Sequence, residues 1–356
     1  MDPAFTPLTT ADTPAWADLT TVLARADETE EFYSAEDLAE ELAEEGVDPQ
    51  RDTWAVRDRA GDGIVAFGQV RVRVRAELLH GRAIVLLGGG VHPDWRRRGI
   101  GRALMDRMEA RARELAAGRH PGAPVTLRNP GGLETDPVRH LLIGRGYTLS
   151  RYFVQMERSL PGPTPAPPGP TASSATPPSA TPSSAVAGYR IVPFTAALSA
   201  GTHRARNAAF ADHWGSTSTS EAEWADLIGA RSFTADCSFL AVASGSGKAA
   251  AGDVHAFCLA QDWQDGQLYL ALIGTVPAAR GVGLARACIA ASLEAAVRRP
   301  DTEGRPRFSR ASLHVDADSP TGATRLYRAA GFAAVKTFAT FTRDLPVRSS
   351  RSIPPS

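Results

Sequence analysis

The amino-acid sequence predicts an α/β chain of two tandem domains, each a central mixed, twisted β-sheet flanked by helices. Three observations carry this. One short pattern occurs twice, as VHPDWRRRGIGRALM from Val91 and TVPAARGVGLARACI from Thr275, with its prolines Pro93 and Pro277 lying 184 residues apart. A stretch without a charged residue, 159–188, separates the two copies. The same order of strand-like and helix-like segments runs through both flanks.

In the first flank, helical spacing predicts helices over 15–25 and 34–45. Strands are predicted over 53–57, 64–75 and 81–91, a helix over 100–117, a strand over 124–128, an amphipathic helix ending at Gly146-Tyr147, and a strand over 151–158. The second flank repeats the series. It predicts a strand over 189–193, helices over 197–209 and 221–229, and strands over 239–243, 254–260 and 267–276. A helix over 284–298, a strand over 311–316, a helix over 321–330 ending at Gly331-Phe332 and a strand over 336–343 complete it. The predicted division is a domain 1–158, a linker 159–188, a domain 189–346 and a tail 347–356. Nine prolines among Ser, Thr, Ala and Gly make 159–188 unable to bury enough apolar surface to offset its ordering entropy.

Each repeated pattern is a strand, a glycine turn and a helix start. The first turn of a helix leaves backbone N–H groups without partners, and the macrodipole adds partial positive charge there. Glycines let an anion approach the backbone, and nearby arginines add full charges. The candidate phosphate-binding residues are therefore Gly90, Val91, Arg96, Arg97, Arg98, Gly99, Ile100, Gly101 and Arg102 in the first copy. In the second they are Ile273, Gly274, Thr275, Arg280, Gly281, Val282, Gly283, Leu284, Ala285 and Arg286. A pyrophosphate suits such a cradle. A nucleotide site is disfavoured, because neither copy has a P-loop lysine or an acidic residue at the spacing that holds a ribose.

Arginine, two residues, glycine, one residue and glycine or alanine after a strand resembles the acyl-CoA loop of the GNAT superfamily of N-acetyltransferases. The Gly-aromatic helix ends follow 47 residues after Gly99 and 48 after Gly283, and the element order is that of the superfamily. Two such domains in one chain resemble the tandem, mycothiol synthase-like type found in actinobacteria. The resemblance implies two GNAT-like domains, acetyl-CoA as co-substrate, direct acetyl transfer to an amine, and an acceptor met between the domains. It also implies a tyrosine acid four residues before the Gly-aromatic end. That position is Tyr327 in the second half and Leu142 in the first, so the second half is predicted to be catalytic and the first to be silent, though able to hold CoA. Ser319 falls where relatives place an asparagine bordering CoA.

For the base, His213 and His314 are the candidates, since imidazole titrates near neutrality. Trp214 beside His213 reads as an acceptor-stacking wall or a core-edge anchor. Relatives of the mycothiol synthase type carry a glutamate just beyond the histidine of that segment and a tyrosine at the place of His314, so the identity of the acceptor stays open. Asp316 and Asp318 read as turn and cap residues rather than metal ligands, with Ser319 as helix N-cap and Pro320 as first helical residue. No metal is expected. The run 27–45, with ten acidic residues and no basic one, reads as a solvated face or as an acidic rim that attracts a cationic amine.

Thirty-nine basic and 39 acidic side chains cancel, which gives no electrostatic reason to expect nucleic acid or an anionic membrane as partner. Three cysteines without metal spacing read as buried reduced thiols. With no membrane span or leader in the sequence, a soluble cytoplasmic protein is expected. The leading expectation is an acetyl-CoA-dependent N-acetyltransferase of a small-molecule primary amine. A protein or peptide acceptor is the alternative within that chemistry, and a non-catalytic acyl-CoA sensor or scaffold the alternative outside it.

Overall fold

The structure is a computed structural model that describes residues 4–58, 63–72, 78–79, 81–161, 186, 188–211, 213, 216–244, 252–263, 266–319 and 322–345. Most of the predicted linker, together with Trp214, Pro320 and the predicted tail, lies outside the described residues.

The chain divides into two compact units, 1–153 with 337–356, and 154–336. The first opens with strand β1 (Phe5–Thr6), helices α1 (Thr13–Ala26) and α2 (Ala35–Ala43), and a single turn α3 (Pro49–Asp52). Trp16, Leu19, Thr20 and Ala24 fall at helical spacing and form the buried face of α1. At the start of α2, Ser34 Oγ accepts from the Asp37 N–H while the Asp37 carboxylate accepts from the Ser34 N–H, a reciprocal cap that satisfies donors at the helix start. Strands β2 (Thr53–Arg57), β3 (Ile64–Val72) and β4 (Ala83–Val91) form an antiparallel meander. Helix α4 (Ile100–Arg119) then crosses over to β5 (Val125–Pro130), which runs parallel to β4, as a parallel pair requires. Their register ends at Leu86 and Arg128, while β4 continues to Val91 paired with β3 alone. The two parallel strands therefore part at their C-terminal ends. Helix α5 (Val138–Gly144) and strand β6 (Thr148–Ser159) follow.

The second unit repeats this plan: β7 (Tyr189–Pro193), α6 (Ser199–Phe210), α7 (Glu221–Gly229), β8 (Phe239–Ala243), β9 (Val254–Trp263) and β10 (Gln267–Thr275). Then come α8 (Leu284–Arg298), β11 (Arg310–Asp316), α9 (Ala323–Ala329) and β12 (Ala333–Leu345). Helix α7 starts on the same reciprocal cap, made by Ser220 and Glu223. Here the parallel pair is shorter, with Gln267–Tyr269 against Arg310–Ser312, and β10 carries an irregularity against β9 between Leu270 and Leu272.

The element order agrees with the sequence reading, with β1 and α3 as additions. The boundaries of the units are different. The chain passes between them inside β6, after Phe153, and inside β12, after Lys336, rather than at 158 and 189. Residues 340–345 of β12 lie antiparallel to β5, and Ala339, Phe341 and Leu345 join the core of the first unit. Met156 and Leu160 join the core of the second. A strand that runs through a boundary keeps one alternating pattern throughout, so composition gives no mark of the crossing.

Within the first unit, buried Glu109 binds the end of α5 to the last strand. Arg145 Nε and Tyr147 Oη donate to its Oε1 at 2.9 and 3.2 Å, and Arg343 Nη1 donates to Oε2 at 3.0 Å. Burial raises the Tyr147 pKa, so the phenol stays a donor. Glu109→Ala leaves two guanidiniums facing an apolar gap. The expected cost is about 3 kcal/mol, at the low end for a broken buried pair because both arginines keep some water contact. Urea denaturation of the variant measures it.

Candidate active site

The two repeated loops share one backbone. Arg97 and Gly99 have φ of 65° and 84°, and Gly281 and Gly283 have 85° and 88°. Gly99 and Gly283 are the N-caps of α4 and α8, and the first helical bonds are Ala103 N–H to Gly99 O and Ala287 N–H to Gly283 O. The N–H groups of Ile100, Gly101 and Arg102, and of Leu284, Ala285 and Arg286, thus precede the helical ladder and converge where an anion can sit. A Cβ built on Gly99, Gly281 or Gly283 meets nothing within 4 Å, so the space above each loop is open. Ile100 and Leu284 are buried and contribute backbone only, while Val282 is exposed.

The motif arginines have a different task from the one the sequence suggested. Arg96 Nε donates to Val91 O at 3.0 Å and its Nη2 to Asp27 at 2.7 Å. Arg280 donates in the same way to Thr275 O at 3.3 Å and Ala209 O at 3.1 Å. Both guanidiniums therefore fasten the loop to its own strand and to the end of the unit's first long helix. Arg98 caps Asp94 O at 2.8 Å over the Trp95 ring. Arg97 and Arg102 are exposed and make no hydrogen bond to a described residue, which leaves their charge available to a phosphate. Gly90 and Gly274 serve packing. A Cβ would lie 2.3 Å from Leu23 at Gly90 and 2.4 Å from the Phe257 ring at Gly274. Ile273 and Thr275 flank Gly274 on the exit of β10.

Tyr327 lies on α9 and is 7% exposed, with no hydrogen bond from its hydroxyl to a described residue. Burial raises its pKa, and the nearby Cys258 thiol and Tyr269 hydroxyl add to the rise, so the phenol is protonated at neutral pH. Its counterpart Leu142 is fully buried in the first unit's core. His314, on β11, shares a 3.1 Å hydrogen bond with Tyr269 Oη, and Trp263 stacks on the Tyr269 ring with centroids 4.0 Å apart. Burial lowers the His314 pKa, which favours neutral imidazole. Tyr269 is the functional candidate that sequence reasoning missed. Only the parallel register, Tyr269 against Ser312, reveals that it faces His314.

Other candidates are placed elsewhere. His213 packs against the Phe210 ring at 5.4 Å, at the end of α6. Ser319 is not the cap of α9, because that helix starts at Ala323 with Gly322 as its N-cap. The Asp318 N–H donates to Asp316 at 3.0 Å, which is a turn, and no group of three or more metal-ligating side chains occurs among the described residues. All three cysteines are buried thiols, Cys258 with its pKa pushed up to about 12 by burial. No helix among the described residues is long and apolar enough to cross a membrane.

A cavity of about 470 Å³ opens in the first unit. It runs from Arg96, Arg97 and Gly101 of the loop, past the parting of β4 and β5, to Trp16, Phe67 and Glu31.

Parallel strands that part over a glycine-capped helix N-terminus, twice in one chain, define an acyl-CoA-dependent acyltransferase of tandem build. The sequence pattern described as "Acetyltransferase (GNAT) family" matches residues 16–129. Over 320 residues the chain is 32% identical to a mycothiol acetyltransferase of Kineococcus radiotolerans, spanning 85% of this chain and 87% of that one. Among solved structures it is similar to a GCN5-related N-acetyltransferase from Sphaerobacter thermophilus, with a TM-score of 0.68 and 23% identity over 96% of this chain and 95% of that one. A tandem GNAT protein from the clavulanic acid biosynthesis pathway gives a TM-score of 0.64 and 17% identity over 96% and 98%. The chain belongs to the GNAT acetyltransferase family.

Proposed function

We propose that the protein transfers an acetyl group from acetyl-CoA directly to the primary amine of a small molecule, with the chemistry in the second unit. The observation that carries this reading is the largely buried Tyr327 side chain, whose protonated hydroxyl has no hydrogen-bond partner among the described residues, close to Tyr269 at the end of the β10–β11 register, where the first unit has Leu142. The amine nitrogen attacks the thioester carbonyl, the C–S bond breaks with its electron pair on sulfur, and Tyr327 gives its proton to that thiolate. Gly281, Gly283 and the N–H groups of Leu284, Ala285 and Arg286 hold the pyrophosphate.

His314 is favoured over His213 as base, because its Tyr269 partner lies close enough to Tyr327 to act on its titration. A base with a depressed pKa is protonated, and lost, only below its ordinary value of 6.5. The acid limb of kcat/KM is therefore expected below pH 6.5, with the limb absent and the rate lower by about 10²-fold in His314→Gln. A pH–rate profile of both proteins checks this.

A small-molecule acceptor is supported by the name of the Kineococcus relative, a mycothiol acetyltransferase. Acetyl-CoA turnover against amino sugars, polyamines and peptides tests it. Turnover confined to peptides favours the protein-acceptor reading, and acetyl-CoA binding with no turnover on any amine favours a sensor.

A further inference from the structure

The face of the second unit's sheet that carries His314 is tied together by its side chains. Across the parallel strands β10 and β11, Arg310 Nε and Nη2 donate to Gln267 Oε1 at 3.3 and 3.1 Å, and Gln267 Nε2 donates to buried Ser312 Oγ. The backbone register between the strands ends at Tyr269 and Ser312. One step further along β11, a rung made by side chains alone joins the two strands, Tyr269 Oη and His314 Nδ1. The phenol in that rung is itself held, because the Trp263 ring lies on it with the planes 19° apart and the Trp263 Nε1–H donates to Gln261 Oε1 at 3.3 Å. Tyr269 is therefore a fixed point against which the imidazole is set.

We propose that Tyr269 positions the base: its Oη accepts from the His314 Nδ1–H and so holds the neutral imidazole in the tautomer whose Nε2 is unprotonated. This rests on the reading of His314 as base, and it names the residue that gives the base its form. Which ring nitrogen carries the proton is set by the hydrogen bond that the other atoms around it allow, and here Nδ1 is the nitrogen that Tyr269 engages. In the opposite arrangement the phenol would donate to Nδ1, the ring proton would sit on Nε2, and neither nitrogen could take a proton from an amine. In the proposed one the proton passes from the substrate nitrogen to Nε2, the N–H electron pair stays on that nitrogen to form the C–N bond, and the imidazolium keeps its Nδ1–H on Tyr269. Nothing is relayed to the phenol.

The test is nitrogen NMR of the full chain labelled with ¹⁵N-histidine, without acetyl-CoA, at about pH 8, where imidazole is neutral. The chain has eight histidines, so the His314 signals are identified as those missing from His314→Gln. The expected result is the Nδ1–H tautomer in the wild type and a shift toward Nε2–H in Tyr269→Phe, which keeps the ring and its stack on Trp263. In turnover assays Tyr269→Phe should lower kcat by about 10-fold, the worth of one hydrogen bond, with acetyl-CoA affinity unchanged. A proton on Nε2 of His314 in the wild type, or the same tautomer in the wild type and Tyr269→Phe, overturns the proposal. The reading of His314 as base fails on a different result, an acid limb that persists in His314→Gln.

Discussion

Tyr327→Phe is expected to lower kcat on the order of 10²-fold to 10⁴-fold while acetyl-CoA affinity stays near that of the wild type. The substitution removes one hydroxyl and keeps a ring that is packed in the second unit's core. Because that hydroxyl has no hydrogen bond to a described residue, its removal leaves no described protein group newly unpaired, so a loss of turnover reports chemistry rather than folding. Leu142→Ala provides the contrast. It opens a cavity at a fully buried position and should cost about 2–5 kcal/mol of stability. It should not change the rate constant of the folded fraction. Steady-state kinetics beside thermal denaturation separates the two effects.

Gly283→Glu is expected to abolish acetyl-CoA-dependent turnover at any practical concentration. The residue has φ of 88°, where an L side chain is strained, and the new carboxylate would enter the open space above the N-terminus of α8. There it would meet a pyrophosphate with bulk and like charge together. Gly283→Ala carries the strain, about 1–2 kcal/mol, without the charge. It should therefore lose stability but retain much of its acetyl-CoA affinity. If Gly283→Ala and Gly283→Glu bind acetyl-CoA alike, the loop does not hold the pyrophosphate.

Much of the fold was legible in the sequence, because local signals sit on the elements they specify. Gly99 and Gly283 fix a left-handed N-cap, and the shared offset of Pro93 and Pro277 reveals a duplicated plan. The passage of the chain between units within β6 and β12 was not legible, since alternation along a strand says nothing about which sheet it joins. The site was read unevenly. Tyr327 was identified from its distance to Gly331-Phe332, whereas Tyr269 needed the register of β10 against β11. Arg96 and Arg280 look like phosphate ligands in a motif, and only coordinates show their guanidiniums turned back onto Val91 and Thr275. Within the acidic run 27–45, Asp37 caps α2, Asp27 pairs with Arg96, and Glu41 and Glu44 pair with Arg71.

The family pattern matches residues 16–129, in the unit that lacks the tyrosine, so where transfer occurs is the point on which the proposed mechanism stands or falls. Gly99→Glu blocks the first loop as Gly283→Glu blocks the second. The decisive measurement is single-turnover acetyl transfer by rapid quench in the Gly99→Glu chain, with acetyl-CoA limiting and an accepted amine in excess. Transfer at the wild-type rate is the predicted result, and collapse of that rate with Gly283 intact would place the chemistry in the first unit.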